Sequence, residues 1–388
     1  MKKRVAVLGC GLVGQTLAAD LARDEAFDVV AVDVSRENLA ALAGVDRLTT
    51  RRADLSEPEA VRSVIEPCDL VVGALPSVLG FQTLKTVIAC GKSCADISFM
   101  VEDPTELDDF AKEKGATVVY DCGVAPGLAN MIIGDCDRRL DETTDVVYYV
   151  GGLPKRRAWP FEYKAPFAPS DVIEEYTRPA RMVEDGRVVV KPALSEPERI
   201  DFPEVGELEA FNTDGLRSLL RTIRARNMKE KTLRYPGHCE LMRVFRETGL
   251  FGKEAIEVGG ARVRPLDVTS RLLFSKWRLA PDEPEFTILR VIVEGLESGK
   301  RLRYTYDLYD EYDAATGRHS MARTTAFPNA IMARMIASGT FSKKGVFPPE
   351  CVAVEGGLFR QMIAELAGRG VHVRDRVEPI SGSGVGQE

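Results

Sequence analysis

A glycine-rich segment near the start of the chain restricts its fold more than any other feature. Residues 5–8 form a short apolar run typical of a buried strand, and a helical pattern covers residues 13–23. At their junction the chain reads G-x-G-x-x-G. The first glycine of this motif permits a tight turn, the second lets the backbone approach a pyrophosphate, and the third allows close helix–strand packing. The segment predicts a dinucleotide site made by Gly9, Gly11, Leu12, Val13 and Gly14.

The first 120 residues alternate between strand and helix patterns. The predicted strands cover residues 5–8, 27–34, 48–54, 70–75, 93–97 and 117–120, and the predicted helices cover residues 13–23, 36–43, 58–65, 81–90 and 104–114. Alternation at this spacing produces a parallel sheet with helices on both faces. We therefore predict an α/β fold whose N-terminal domain is a doubly wound Rossmann sheet.

The alternation stops after residue 120, which predicts a second domain of α+β type. Strand patterns at residues 286–294 and 302–309 are joined by a turn and indicate a hairpin. The chain should then divide into a Rossmann domain at residues 1–127 with a helix at 325–338 packed back on it, a domain for substrate binding and dimerisation at residues 128–324 and 339–380, and a disordered tail at residues 381–388.

Composition excludes several classes of partner. The net charge of -7 gives no general attraction to nucleic acid. No apolar run approaches the roughly 20 residues of a membrane helix, and residues 5–8 are too short for a signal peptide. Eight cysteines and three histidines lack the spacing of a zinc site, so we predict no metal. Cysteines inside apolar strand and helix patterns suit a reducing cytoplasm, which we predict as the location.

Residues after the predicted strands indicate which dinucleotide binds. Asp33 ends the second predicted strand, where a carboxylate accepts both ribose hydroxyls and repels a 2′-phosphate, so NAD is favoured. Arg36 is near enough to bind such a phosphate, which keeps NADP open. Asp54 follows the third strand, where it contacts the adenine or caps a helix. The nicotinamide ribose should be lined by Ala74, Leu75 and Pro76.

Later segments resemble a known family. They are D-C-G-V-A-P-G-L-A-N at residues 121–130, V-G-G-L-P at 150–154, E-E-Y-T-R-P-A-R at 174–181, T-D-G-L-R-S-L at 213–219 and T-L-R-Y-P-G-H at 232–238. Together they resemble the saccharopine dehydrogenase superfamily, and within it the lysine 6-dehydrogenases. The likeness extends over nearly the whole chain.

The resemblance implies a reaction. It implies NAD-dependent oxidative deamination of the L-lysine 6-amino group to the 6-semialdehyde, which cyclises to piperideine-6-carboxylate. Fungal saccharopine reductases of the superfamily usually carry a cysteine and an aspartate where this chain has Val150 and Ala125, which counts against a bulky glutamate-bearing substrate. Two alternatives stay open: a dehydrogenase of a secondary amine such as saccharopine or carboxynorspermidine, and a catalytically silent NAD-binding sensor or scaffold.

That reaction needs a base and a carboxylate clamp. Hydride leaves the carbon beside the amine, so the nitrogen must first lose its proton. Arg217 is the first candidate for the clamp and Arg178 the second. The alternative for each is an arginine on the surface of a helix. His238 follows a Pro-Gly turn and is either the base or a helix cap.

Several further residues are candidates with smaller roles. Asp96 and Ser98 lie at the end of the fifth strand beside the predicted nicotinamide, where they either position the amine or the water or cap the helix that follows. Cys122 follows the sixth strand near the cofactor and is interpreted as packing. Substrate contacts are also predicted for Tyr235, Glu175 and Gly152. The predicted partners are a small amino acid and further copies of the chain, joined through the second domain into a homo-oligomer.

Overall fold

The computed structural model describes residues 2–167 and 169–380, and the predicted disordered tail at 381–388 lies outside the described residues. The chain divides into two compact units. The first unit comprises Met1–Met131 and Asp313–Val371, and the second comprises Ile132–Tyr312 and His372–Glu388.

Eighteen strands and thirteen α-helices form the described part of the chain. The strands are β1 (Lys3–Leu8), β2 (Phe27–Asp33), β3 (Leu48–Arg52), β4 (Leu70–Gly73), β5 (Ser93–Asp96), β6 (Thr117–Val119), β7 (Glu142–Pro154), β8 (Ala180–Glu184), β9 (Arg187–Lys191), β10 (Glu198–Phe202), β11 (Gly206–Asn212), β12 (Asn227–Arg234), β13 (Ile256–Val258), β14 (Ala261–Val263), β15 (Glu285–Glu297), β16 (Lys300–Glu311), β17 (Gly345–Phe347) and β18 (Val373–Pro379). The helices are α1 (Leu12–Ala22), α2 (Arg36–Ala40), α3 (Pro58–Ile65), α4 (Ser77–Ala89), α5 (Asp108–Glu113), α6 (Leu128–Arg139), α7 (Pro169–Thr177), α8 (Leu219–Thr222), α9 (His238–Glu247), α10 (Pro265–Trp277), α11 (Ser320–Ser338), α12 (Pro349–Ala353) and α13 (Leu358–Gly368), with a 3-10 turn at Pro104–Leu107 before α5.

The first unit is built on a seven-stranded parallel sheet in the order β17-β6-β5-β4-β1-β2-β3. The predicted doubly wound sheet is confirmed. Strand order reverses at β1, which lies between β2 and β4. In an open parallel sheet a ligand binds outside the carboxyl ends of the strands at such a reversal. The carboxyl end of β1 is where the glycine-rich segment begins.

The domain bounds differ from those predicted. Residues 339–371 were expected in the second domain, but they belong to the first unit, as do residues 313–324 and 128–131. The reason is β17, which pairs in parallel with β6 and extends the Rossmann sheet by one strand. The backbone N–H of Val346 also donates to Asp108 Oδ1 at 2.8 Å. A three-residue strand carries too little periodicity for its partner to be recognised from sequence.

Helix α11 is long, buried and part of the first unit. It packs against α1, β4 and β5. Arg334 on α11 pairs with Asp20 at 2.7 Å and with Asp24 at 3.2 Å. Asn329, fully buried, donates from Nδ2 to the carbonyl of Gly73 at 3.3 Å, at the end of β4. The helix therefore forms part of the wall beside the carboxyl ends of the central strands.

The second unit contains a nine-stranded mixed sheet. Its main path runs β10-β11-β12-β7-β15-β16-β18, while β8 pairs with β12 and β9 pairs with β8. Strands β15 and β16 form the predicted hairpin, with Ser298 and Gly299 both at positive φ in its two-residue turn. Strands β10 to β12 lie between residues 198 and 234 and form one edge of this sheet.

Within residues 2–167 and 169–380, no helix combines the length and apolar character needed to cross a membrane.

Candidate dinucleotide site and a buried polar cluster

Two glycines of the N-terminal motif are required by the packing of the protein itself. Gly9 follows β1 with φ at 91°, a left-handed conformation that favours glycine. A Cβ on Gly9 would lie 2.4 Å from the carbonyl oxygen of Ala74, and a Cβ on Gly14 would lie 2.0 Å from that of Gly9. These contacts allow α1 to lie directly on β1 and β4.

Gly11 is different, because no protein atom requires a glycine there. Its φ of -66° and ψ of -167° suit any residue, and a Cβ would meet no atom of the described chain within 4 Å. No side chain caps the N-terminus of α1. The backbone N–H groups at the start of a helix attract phosphate, and a glycine there lets the phosphate approach closely. The loop therefore fits a dinucleotide pyrophosphate, with Leu12 and Val13 in the first turn of the helix.

Asp33 is fixed against this loop at the end of β2. One carboxylate oxygen accepts hydrogen bonds from the Cys10 backbone N–H at 2.7 Å and from Asn38 Nδ2 at 3.3 Å. The other accepts from the Ser35 backbone N–H at 2.7 Å. A carboxylate offers about four acceptor positions, so one remains for a ribose hydroxyl. Arg36, three residues further along the chain, is exposed.

Asp96 occupies the end of β5, beside the end of β4. It is 3% exposed, and its Oδ1 accepts from the Ser98 backbone N–H at 2.6 Å. Only a glycine fits at position 73, because a Cβ there would lie 1.6 Å from Asp96 Oδ2. Burial, together with nearby Asp121, raises the pKa of Asp96 to about 6. This carboxyl can therefore exchange a proton near neutral pH.

The other predicted cofactor residues make hydrogen bonds or packing contacts with neighbouring parts of the first unit. Pro76 is the N-cap residue of α4, and the N–H of Ala74 donates to Leu8 O at 2.8 Å. The Cys122 thiol is buried, which raises its pKa well above the usual value, so it is packed as a neutral thiol. Asp54 is exposed and accepts a hydrogen bond from the Ser56 N–H at 3.0 Å, which lowers the pKa of Asp54. This bond closes a turn before α3.

His238, a candidate base, is buried in the second unit. It is 3% exposed, its Nδ1 lies 2.8 Å from the Phe161 carbonyl oxygen, and its Nε2 lies 2.9 Å from Tyr176 Oη. Nδ1 must donate to the carbonyl, so Nε2 accepts from the tyrosine hydroxyl. Burial and the nearby Arg234 charge lower the pKa of His238 to about 3. A neutral imidazole with both nitrogens occupied favours a structural role over the catalytic one predicted.

Arg234 organises the same cluster and was missed by sequence reasoning. Its Nε donates to Tyr176 Oη at 3.1 Å, its Nη2 pairs with Glu175 at 2.5 Å, and its guanidinium lies 4.4 Å from the centre of the Tyr163 ring. The candidate Glu175 is therefore engaged by an arginine, and burial raises its pKa. The signal available was the arginine within T-L-R-Y-P-G-H, on the strand before the histidine.

A second buried carboxyl in this unit holds the loop that carries Arg217. Glu230 Oε2 accepts from Thr213 Oγ1 at 2.5 Å and from the Gly215 N–H at 3.1 Å. Burial raises the pKa of Glu230 to about 8, so it is mainly protonated at neutral pH. Arg217 follows with φ at 54° and a half-buried side chain. The backbone at Arg217 is therefore strained, and hydrogen bonds from the loop to Glu230 hold it in place.

The remaining predicted substrate residues are dispersed through the second unit. Arg178 is half-buried and lies 3.6 Å from Glu174. Tyr235 donates to the Pro154 carbonyl at 2.9 Å, and Gly152 on β7 is paired with Thr287 on β15. Of the predicted residues in this unit, the structure brings His238 and Glu175 into one network through Arg234.

The sequence also matches the models of a known protein family. Residues 5–119 match the model of the saccharopine dehydrogenase NADP binding domain, and residues 123–371 match the saccharopine dehydrogenase C-terminal domain. The chain belongs to the saccharopine dehydrogenase family. The predicted superfamily is confirmed, and the first unit is a nicotinamide dinucleotide-binding domain of the kind found in that family.

Relatives in the saccharopine dehydrogenase family have low sequence identity to this chain but match most of its length. The mitochondrial alpha-aminoadipic semialdehyde synthase of Mus musculus is 24% identical over 94% of this chain and 47% of its own length. The chain thus spans about half the length of the mammalian relatives that it matches. The Pyricularia oryzae saccharopine dehydrogenase [NADP(+), L-glutamate-forming] is 23% identical over 93% of this chain and 96% of its own.

A solved structure shares the whole fold. Apo saccharopine dehydrogenase (L-Glu forming) from Saccharomyces cerevisiae matches with a TM-score of 0.79 and 18% identity, over 97% of this chain and 100% of the yeast chain. At that identity the match establishes the architecture only.

Proposed function

We propose that this chain is a dehydrogenase that oxidises the 6-amino group of L-lysine to the 6-semialdehyde, with NAD as the hydride acceptor. The observation that carries the cofactor part is Asp33, whose carboxyl oxygens accept hydrogen bonds from the backbone N–H groups of Cys10 and Ser35 at the end of β2. A carboxylate at this place accepts ribose hydroxyls and repels a 2′-phosphate. This preference departs from the NADP named in the family model and in the fungal relative.

The substrate part rests on chemistry that the relatives share. One relative is named for alpha-aminoadipic semialdehyde, which is the aldehyde produced when the terminal carbon of lysine is oxidised. Another is named for forming L-glutamate from saccharopine, a secondary amine of lysine. Val150 and Ala125 depart from the residues usual in the fungal enzymes, which supports the smaller primary amine.

The residues of this chain would supply proton transfer and substrate binding, while bound NAD would supply the hydride acceptor. Asp96, with its pKa near 6, would take the proton that the amine must lose, and would return one when ammonia leaves. Arg217 would hold the α-carboxylate at the far end of lysine through its planar guanidinium. We do not assign a proton-transfer role to His238.

A second candidate is an NADP-dependent saccharopine dehydrogenase, favoured by the family model and by the near full-length match to the fungal enzyme. The test is a crossed assay of the purified chain with lysine or saccharopine and with NAD or NADP. Reduced cofactor is followed by absorbance, ammonia by a coupled enzyme and glutamate by chromatography. Our proposal expects NADH and ammonia from lysine with NAD.

Two other outcomes of the crossed assay would each identify a different function. NADPH and glutamate from saccharopine would establish the second candidate. Dinucleotide binding by calorimetry without turnover of either substrate would instead favour a silent sensor or scaffold.

The carboxylate clamp has its own test. Arg217→Ala should raise the KM for lysine about thirtyfold, because truncating one partner of a desolvated ion pair costs about 2 kcal/mol or more. The affinity for NAD should stay the same. Arg262→Ala, at an exposed arginine of β14, is the matched control. An unaltered KM in Arg217→Ala would move the clamp to Arg178.

A further inference from the structure

A cavity of about 380 Å³ lies in the first unit at the C-terminal end of α1. Its walls come from the last turns of α1, from residues 45–47, from residues 316–318 and from Phe327 of α11. Helix α1 begins beside the glycine-rich loop and rises about 1.5 Å per residue. The cavity and the dinucleotide loop therefore lie at opposite ends of a helix about 16 Å long.

Three arginines line this cavity, and two of them lack an internal partner. Arg47 donates from Nε to Ala22 O at 3.0 Å and from Nη2 to Arg23 O at 3.1 Å, so it caps the negative end of α1. Within residues 2–167 and 169–380, the guanidinium groups of Arg23 and Arg318 have no hydrogen bond or ion pair. Burial and the Arg23 charge lower the pKa of Arg318. Two like charges thus face one cavity.

The acidic residues of the lining do not neutralise these two arginines. Asp20 is already paired with Arg334 at 2.7 Å and with Arg369 at 3.0 Å. Asp46 is exposed and forms no ion pair within 4.0 Å with any described residue. The balance of unpaired charge on the walls is therefore positive.

The backbone that carries Arg318 is fixed before any ligand arrives. Asp313 and Arg318 exchange backbone hydrogen bonds at 2.9 and 3.2 Å across a tight turn. The Asp313 carboxylate accepts from the Ala315 N–H at 3.0 Å and from Thr316 Oγ1 at 2.7 Å inside that turn. A half-buried guanidinium on a fixed turn loses little backbone freedom when it binds an anion.

We propose that this cavity binds a small dianion whose carboxylate or phosphate oxygens contact Arg23 and Arg318. Guanidinium groups match carboxylate and phosphate in geometry and charge, and a dianion would relieve the repulsion between the two arginines. Phe327 offers an apolar surface for the carbon chain of an organic acid. The site is separate from the dinucleotide loop, so the inference does not depend on which amine the enzyme oxidises.

The test is isothermal titration of the full chain with glutarate and with inorganic phosphate, at constant ionic strength, with acetate as the monoanion control. At least one of the two dianions should bind about tenfold more tightly than acetate, because it engages both arginines. Arg23→Gln and Arg318→Gln should each weaken that binding by about tenfold, and Arg262→Gln should not. The affinity of Arg23→Gln for NAD should equal that of the unaltered chain.

The three anions separate the outcomes. Binding of glutarate alone identifies an organic dicarboxylate, binding of phosphate alone identifies a phosphate group, and binding of both supports the shared site. Equal affinity for all three anions would overturn the proposal. So would a dianion affinity that survives Arg23→Gln, and this result is available even if Arg318→Gln fails to fold, since Arg23 is exposed.

Discussion

At the glycine-rich end of the first unit, polar groups are held by backbone N–H groups and keep some capacity for a ligand. Asp33 is half-buried and bound by two main-chain donors. In the second unit, Arg234, Tyr176 and His238 satisfy one another in a cluster that is almost wholly buried. A polar side chain held by backbone can serve a ligand, whereas one held by other buried side chains mainly specifies the packing.

The strongest test of this contrast removes the centre of the buried cluster. Arg234→Met should lower the free energy of unfolding of the second unit by about 2–3 kcal/mol, because the half-buried Glu175 carboxylate and the buried Tyr176 hydroxyl both lose their arginine partner. Urea unfolding followed by tryptophan fluorescence measures this, since Trp159 and Trp277 are both in that unit.

Arg262→Met, at an exposed site, is the control for the Arg234 variant. If Arg234→Met unfolded at the same urea concentration as this control, the cluster would not stabilise the second unit. The residues of the cluster would then be open again for a role in binding.

Substitutions at two glycines of the first unit distinguish a glycine required for protein packing from one that allows a ligand to approach. Gly14→Ala brings a Cβ to 2.0 Å from Gly9 O and should lower both the melting temperature and the affinity for NAD, the latter by about a hundredfold. Gly11→Ala meets no protein atom within 4 Å.

Gly11→Ala should therefore keep the melting temperature while still losing affinity for NAD, by about tenfold or more. NADH fluorescence and thermal melts measure the two effects. Loss of stability without loss of affinity in Gly11→Ala would mean that the pyrophosphate does not approach this residue.

The pH dependence of stability sharpens the contrast in the second unit. The pKa of His238 is about 3 when folded and about 6.5 when unfolded, so the unfolded chain binds more protons between these values. Its contribution to stability is complete above pH 6.5 and falls with acidification, by about 2 kcal/mol at pH 5. His238→Gln should therefore lose less stability than the unaltered chain between pH 7 and pH 5, in urea titrations at both values.

Glu230 and Asp96 are present in both His238→Gln and the unaltered chain, so their contributions to the pH dependence of stability cancel when the two are compared. Their raised pKa values oppose the effect of His238, because each carboxyl binds its proton more tightly when folded. Equal pH dependence in the two proteins would mean that His238 is protonated in the fold and accessible to solvent.

Sequence patterns predicted the sheet of the first unit because strand and helix patterns alternate regularly there, and β1 and β4 are short apolar runs that end at glycine. They also placed Asp33 and Asp96 correctly at strand ends. They could not predict β17, since three residues at 345–347 join the sheet only through pairing with β6. Local patterns are informative where neighbours in the chain are also neighbours in the fold.

The interpretation of His238 shows the limit of the same reasoning. A histidine after a Pro-Gly turn is chemically suited to be a base, and the sequence around it contains no visible partner. Its partners are Tyr176 and the Phe161 carbonyl, 62 and 77 residues earlier in the chain. Long-range contacts of this kind decide whether a polar residue is available, and a single sequence does not reveal them.

Cofactor choice tests the first unit more finely. Asp33→Ser should raise the preference for NADP over NAD by about tenfold, because it removes the negative charge that we propose to face the 2′ position of the bound ribose. Steady-state kinetics with both cofactors measures the ratio, and Arg36→Gln in the same background shows whether that arginine accepts the phosphate. An unchanged ratio would place Asp33 away from the ribose.

The smallest expected effect concerns Asp54, which the sequence allows either to contact adenine or to close a turn. Its carboxylate is exposed and accepts from the Ser56 N–H at 3.0 Å, so its hydrogen bonding is already local. Asp33, by contrast, is bound to the loop that would hold the pyrophosphate. Asp54→Ala should therefore change the affinity for NAD by less than about twofold, because a solvated carboxylate at a turn contributes little to a ligand that it does not contact. NADH titration of Asp54→Ala beside Asp33→Ser makes the comparison within one unit. A loss of tenfold or more in Asp54→Ala would show that the turn reorganises around the adenine, and the contrast between held and available carboxylates would then have to be drawn for the liganded protein.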